Sequence, residues 1–214
     1  MKRNALLHQL VTHENTFDFI VIGGGATGLG IALDAITRGA SVALFEQDDF
    51  TKGTSSRSTK LVHGGVRYLA QGDVSLVLEA LRERGLLRKN ASHLVKNQSF
   101  LIPCYRWWEG AFYTIGLILY DLMAANLGFG RSFCIGPKRA VKTIPMLRKK
   151  GMKAGVIYHD GQFDDSRLAI NIAQTAVDAG ACVLNYMKVT NLIKQEGKVC
   201  GVEVMDMETG EQHV

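Results

Sequence analysis

Gly23, Gly25 and Gly28 stand at G-x-G-x-x-G spacing, and the chemistry that spacing suits is the holding of a pyrophosphate. Gly23 allows a tight turn, Gly25 lets a phosphate approach the backbone, and Gly28 lets a helix pack closely on a strand. The N–H groups at the start of the following helix then face the phosphates. Glu46 lies eighteen residues beyond Gly28, where a carboxylate accepts hydrogen bonds from a ribose. The competing reading is an ordinary glycine-rich turn with a surface glutamate.

What separates the two is the set of elements around the glycines. The apolar residues 19–22 read as a buried parallel strand. Leu29, Ile31, Ala32 and Leu33 open a helical pattern, Arg38-Gly39-Ala40 makes a turn, and residues 41–45 form a second strand that ends in Glu46. A βαβ unit of this kind is the context the glycine spacing requires.

A second stretch, residues 53–69, gathers the serine and threonine hydroxyls of Thr54, Ser55, Ser56, Ser58 and Thr59 with Arg57, Lys60 and Arg67, together with His63 and the pair Gly64-Gly65. Hydroxyls and backbone N–H groups suit a pyrophosphate, and a glycine pair lets backbone lie against a flat ring with no Cβ in the way. A loop over residues 47–72 with no structure of its own is rare in a compact domain unless it serves a function.

Composition narrows the classes. The chain has 214 residues, enough for one large domain or two small ones, and is 47% hydrophobic with 23 glycines and 3 prolines. Such a chain buries a core and is not disordered. Its formal charge of +5 and pI near 9.0 suit an anionic cofactor and an anionic substrate. Without a dense Lys/Arg tract interleaved with aromatics, nucleic acid is not expected. Cys104, Cys134, Cys182 and Cys200 are widely spaced, so neither a metal site nor a disulfide framework is expected and a reducing, cytoplasmic compartment is. The first residues break their apolar run at His8-Gln9, which favours a short amphipathic helix over a signal peptide. No uninterrupted apolar run of about 18 residues occurs, so no spanning helix is expected.

Further along, Asp73 reads as the N-cap of an amphipathic helix over 74–89, with Val74, Val77, Leu78, Leu81 and Leu86 recurring at helical spacing and Arg82, Glu83 and Arg84 nearer solvent. Residues 99–103 read as a short strand. Residues 105–123 form a nearly all-round apolar helix led by Trp107 and Trp108, either a packing helix or a surface for a membrane interface. A basic segment, 138–150, follows. Residues 156–158 read as a strand, Asp160-Gly161 as a turn, and Asp164-Asp165-Ser166 as the cap of a helix over 167–179, with Gly180 behind it. Strands over 182–184, 188–193 and 199–205 close the chain, with turns at Gly197 and Thr209-Gly210. The fold class is α/β, a Rossmann-like nucleotide-binding fold with a mostly parallel sheet. Residues 1–16 are an extension, 17–72 and 155–214 the nucleotide-binding parts, and 73–154 part of a second α+β substrate domain.

Residues 22–28, 54–56, 58–65 and 67–69, with 116–121 and 164–168, together resemble the FAD-dependent glycerol-3-phosphate dehydrogenase family, and the string S-S-x-S-T-K-L-V-H-G-G-V-R-Y-L is its most specific part. The resemblance implies that Gly23, Gly25, Thr27 and Gly28 hold the FAD pyrophosphate and Glu46 the adenosine ribose. It implies Thr54, Ser55, Thr59, Lys60, Leu61, His63, Gly64 and Gly65 at the flavin, and the Val189 backbone at the adenine. Arg67 and Tyr68 would sit at the substrate, with Arg67 pairing the phosphate of glycerol 3-phosphate. His63 is either the proton acceptor or a flavin contact; Lys60 either stabilises negative charge or is solvated. The reaction implied is oxidation to dihydroxyacetone phosphate, with electrons passed to a quinone or other acceptor. Peripheral attachment to the inner face of the cell membrane is the membrane version of the Trp107 reading. Family members are much longer than 214 residues, so the chain reads as an N-terminal portion. The alternatives are an oxidase that uses oxygen and a non-catalytic FAD-binding module.

Overall fold

The computed structural model describes residues 1–12, 16–69 and 71–214, with Arg67 described in its backbone alone. In chain order the elements are α1 (Arg3–Thr12), β1 (Phe19–Ile22), α2 (Ala26–Thr37), β2 (Val42–Phe45), β3 (Leu61–Val62), α3 (Val66–Leu69), α4 (Val74–Asn90), β4 (Lys96–Cys104), α5 (Glu109–Ala124), β5 (Phe133–Ile135), α6 (Pro137–Thr143), β6 (Ala154–Gln162), α7 (Asp165–Asp178), β7 (Cys182–Leu184), β8 (Met187–Gln195), β9 (Lys198–Asp206) and β10 (Gln212–His213). They fall into two compact units, one of Met1–Thr59 with Asp165–Val214, the other of Lys60–Asp164.

In the first unit β1, β2 and β7 form a parallel sheet in that order, with Phe19 beside Val42 and Ala43 beside Cys182. β2 is buried along its whole length, which is why residues 42–45 carry no polar position. On one face α2 and α7 pack Leu29, Ala32, Ala169, Ala173 and Ala176 against Val42, Leu44 and Val183. The small residues of α7 let the two helices and the sheet approach closely. Ala43, Phe45, Cys182 and Leu184 pack with Leu6 of α1 and with Val202 and Val204 of the antiparallel sheet β8-β9-β10. Burial pushes the Cys182 thiol up to about 12, so it stays protonated and inert. α1 is fastened by Arg3, which binds the Asn185 carbonyl, Asp206 Oδ2 at 2.9 Å and Glu208 Oε2 at 2.7 Å.

The second unit is built on β6, which pairs antiparallel with β4 over nine residues and also meets β3 and β5. α4 is capped as its sequence predicts, Asp73 Oδ1 accepting from Leu76 N at 3.1 Å. Three expectations are corrected. Asp160-Gly161 is not a turn but the end of β6, opposite Gln98 and Asn97. Arg84 does not face solvent; it is 2% exposed and shares the inward face of α4 with Val77, Leu81 and Gly85. The loop expected over 47–72 also carries structure among its described residues, a 3-10 turn at Thr54–Ser56, then β3 and α3. The unit's two ends adjoin, Phe163 N donating to Lys60 O at 3.0 Å.

α5 buries Gly110, Leu117, Tyr120 and Ala124 and leaves Phe112, Ile115, Leu119 and Leu122 exposed. With the short turn behind it, the stretch Glu109–Leu127 has the length and hydropathy to cross a membrane, although no continuous apolar run announced it. It is a packing helix on its inner side with a bare apolar outer side.

Candidate functional site: a glycine turn, a carboxylate and an anchored loop

In the first unit, β1 runs into Gly23, whose φ of +111° is open to glycine and strained for other residues. Gly23 N donates to Phe45 O at 2.8 Å, so the turn begins while the chain is still held to β2. A Cβ on Gly28 would lie 2.0 Å from the Gly23 carbonyl oxygen, which leaves room for hydrogen alone and closes helix onto strand. Gly25 is the N-cap of α2 and brings no side-chain cap. The first-turn N–H groups of a helix have no intrahelical partner; here Ala26 N takes Ser55 Oγ at 2.9 Å. A Cβ on Gly25 would sit 3.0 Å from the same hydroxyl. An anion cradle of backbone amides with a serine hydroxyl beside it is the result, and it fits a pyrophosphate.

Glu46 closes β2, with its carboxylate turned back to the turn: Oε2 accepts from Gly24 N at 2.7 Å and Oε1 from Asp48 N at 2.9 Å. Gly24, which the sequence pattern leaves as a spacer, is therefore structural too. Its Cβ would meet Glu46 Cβ and Phe50 Cδ1 at 2.7 Å. Thr51 N donates to Gly24 O at 3.1 Å and holds φ at +66°, so the chain after β2 folds back on the glycines. Thr54 and Thr59 are exposed. The loop between them is tied down a second time by Asp165, whose Oδ2 accepts from Ser58 Oγ at 2.6 Å and Ser58 N at 3.2 Å. Val189 lies on β8 opposite Val204 and lines an open groove with Ile22, Asn191 and Leu192.

In the second unit, Lys60 takes a left-handed φ of +61°, an unusual backbone for a residue with a side chain. Leu61 and Val62 join β6, and His63 follows, exposed. His63 Nδ1 accepts from Gly65 N at 3.1 Å. In the neutral ring the proton is then on Nε2, and the outward nitrogen is a donor. Gly64 N donates to Tyr120 Oη at 2.8 Å. The two glycine amides are thus spent on internal acceptors, and both glycines are buried. Tyr68 is half-exposed, its ring against Gly65. The Arg67 side chain lies outside the described residues.

Beneath Gly64 lies a polar cluster that sequence reasoning missed. Tyr120 Oη donates to Asp160 Oδ2 at 3.2 Å, and Arg84 Nη1 binds Asp160 Oδ1 at 2.6 Å. All three side chains are buried, and the Arg84 guanidinium also lies over the Phe129 ring. Burial first, and the Asp160 charge second, raise the Tyr120 hydroxyl well above its ordinary value, so it stays protonated. The available signal was spacing: Arg84 is seven residues from Val77, on the same helix face. Among the described residues no group of His, Cys, Asp or Glu is arranged to hold a metal.

A glycine turn between a parallel strand and a helix, followed by a carboxylate at the end of the neighbouring strand, defines a dinucleotide-binding α/β protein. The chain belongs to the FAD dependent oxidoreductase family, whose model matches residues 18–214, and its cofactor is FAD. It is similar to the mitochondrial glycerol-3-phosphate dehydrogenases of Saccharomyces cerevisiae and Homo sapiens, each 46% identical, over 99% and 95% of this chain and 34% and 30% of theirs. Among solved structures it is similar to the glycerol-3-phosphate dehydrogenase of Bacillus halodurans complexed with FAD. The TM-score is 0.74 and the identity 36%, over 99% of this chain and 34% of that one. The resemblance drawn from residues 22–69, 116–121 and 164–168 is borne out; the chain spans about a third of the length of these relatives.

Proposed function

We propose that the chain carries the flavin-binding elements of an enzyme that oxidises sn-glycerol 3-phosphate to dihydroxyacetone phosphate and passes the electrons to a quinone. The observation that carries this reading is the joint presence of the glycine turn and the anchored loop from Gly53 to Leu69 in a chain whose similarity to glycerol-3-phosphate dehydrogenases extends over nearly its whole length. Gly23, Gly25, Thr27 and Gly28 hold the pyrophosphate at the start of α2, Glu46 the ribose, and the Val189 backbone the adenine. Thr54, Ser55, Thr59, Lys60, Leu61, His63, Gly64 and Gly65 serve the flavin, while Arg67 and Tyr68 serve the substrate, Arg67 through its phosphate. FAD supplies the acceptor for the hydride that leaves C2 of the substrate. His63, with Nδ1 committed to Gly65, offers an N–H rather than a lone pair, which favours a flavin contact over the proton acceptor.

The test is direct. Full-length protein should release FAD on heating and reduce an artificial electron acceptor when glycerol 3-phosphate is added. Protein that carries FAD and does not respond to glycerol 3-phosphate overturns the substrate; release of another nucleotide overturns the cofactor. Glu46→Ala should weaken FAD binding by roughly 1.5–3 kcal/mol, the scale of a hydrogen bond to a charged group. Equilibrium dialysis of the flavin measures it, and an unchanged Kd removes Glu46 from the site.

We further propose that the second unit meets an anionic membrane surface. Trp107 is 86% exposed beside the bare stripe Phe112, Ile115, Leu119 and Leu122. Between Gly136 and Lys153 the chain carries Lys138, Arg139, Lys142, Arg148, Lys149, Lys150 and Lys153 with no acidic residue. Exposed aromatics with a basic run suit the headgroup boundary of an anionic bilayer. Replacing Trp107 and Trp108 by Ser should lower partitioning onto anionic vesicles at least ten-fold, since each indole buries about 150–250 Å² when covered. Co-sedimentation equal to wild type rejects the membrane reading.

A further inference from the structure

We infer that Tyr120, held by the buried Asp160–Arg84 pair, is a positioning residue for the flavin loop, fixing the backbone of Gly64; this rests on the FAD reading above. The Tyr120 hydroxyl has one proton, and Asp160 Oδ2 accepts it at 3.2 Å. Its lone pairs are therefore aimed elsewhere, and the amide of Gly64 meets them at 2.8 Å. Asp160 is in turn fixed by Arg84 at 2.6 Å and cannot swing away. The chain of contacts ends on one backbone N–H, in the segment Leu61–Gly65 that serves the flavin.

Two further observations point the same way. A Cβ on Gly64 would lie 2.4 Å from both Leu81 Cδ2 and Tyr120 Oη, so the backbone is pressed directly onto the cluster with no side chain between. And an ion pair this deeply buried is a weak source of stability, since apolar residues of similar volume often do as well or better. Its position under a loop that must hold one conformation gives it a use that packing does not. Tyr120 is buried, and it acts through Gly64.

The test uses the FAD-loaded full-length protein. Tyr120→Phe keeps the ring and removes the acceptor. The dissociation constant for FAD should rise about ten-fold, and the visible circular dichroism of the bound flavin should change, because the ring then samples a looser backbone. The double variant Arg84→Met/Asp160→Leu replaces the pair by apolar volume and leaves the Tyr120 hydroxyl free to rotate. It should weaken FAD to a similar degree, and adding Tyr120→Phe to it should cost little more. If Tyr120→Phe lowers Tm while FAD affinity and visible circular dichroism stay at wild-type values, the cluster is structural only and the inference is overturned. Full additivity of the three substitutions overturns it as well, because the residues then act separately. Wild-type protein that binds no FAD overturns the flavin reading itself, a different result from wild-type binding with unaffected variants.

Discussion

Gly28→Ala yields protein without FAD, its nucleotide-binding unit destabilised by about 3 kcal/mol or more. The added methyl meets the Gly23 carbonyl oxygen at 2.0 Å, and that oxygen is backbone. Overpacking against flexible side-chain tips typically costs 1–3 kcal/mol. Here the neighbour can move only if the turn after β1 opens, and that turn is still bonded to β2 through Gly23 N and Phe45 O. Opening it displaces the amides at the start of α2, so stability and cofactor fall together. Gly30→Ala, two residues on, is the matched control. A Cβ there meets nothing within 4 Å, and alanine in a helix is favoured over glycine by up to about 1 kcal/mol. Thermal melts and the flavin released by heating should separate the two variants. A Gly28→Ala protein with a full complement of FAD would show that the close approach of helix and strand is not needed.

Asp160→Ala should be the most damaging single change in the second unit, about 3–5 kcal/mol, the usual cost of leaving one partner of a buried ion pair without the other. Arg84 Nη1 loses its 2.6 Å partner and the Tyr120 hydroxyl its acceptor. The two tryptophans of these 214 residues, Trp107 and Trp108, lie in this unit, so urea unfolding of the chain followed by tryptophan fluorescence reports on it. The paired replacement Arg84→Met/Asp160→Leu should unfold near the wild-type urea concentration, because it removes both charges together. If Asp160→Ala also unfolds there, the guanidinium is not held by Asp160 in solution.

The glycine turn was legible because each constraint in it is local. A positive φ, a close helix and a short reach to the next strand are all set within thirty residues, and Gly23, Gly28 and Glu46 stand where that geometry needs them. The α4 cap and the ends of α7 were legible for the same reason. Arg84 was not, since its partner lies far along the chain and a charged residue on a helix is normally solvated. Asp160-Gly161 misled because the dipeptide has turn chemistry. In the strand each residue answers a distant neighbour: Asp160 binds Arg84, and a Cβ on Gly161 would strike Val62 Cγ1 at 2.5 Å. The same holds for Tyr120, which an apolar helix pattern marks as core and which carries a hydroxyl bound to the backbone amide of Gly64, with α3, α4 and β4 between them in the chain. Short-range geometry is written in spacing; long-range pairing of polar groups is written only in the fold.

The adjoining ends of the second unit bear on how the chain folds. The bond from Phe163 N to Lys60 O and the pairing of β3 with β6 bring the two ends of a segment of about a hundred residues together. For the parallel sheet of the first unit, the connection from Thr59 to Asp165 then behaves as a link of a few residues. Closing a flexible loop costs about (3/2)RT ln n, so the difference is roughly 3 kcal/mol in chain entropy. β7 can take its place beside β2 as though the intervening segment were a short turn, and the contact order of the parallel sheet is much lower in effect than its sequence numbers suggest.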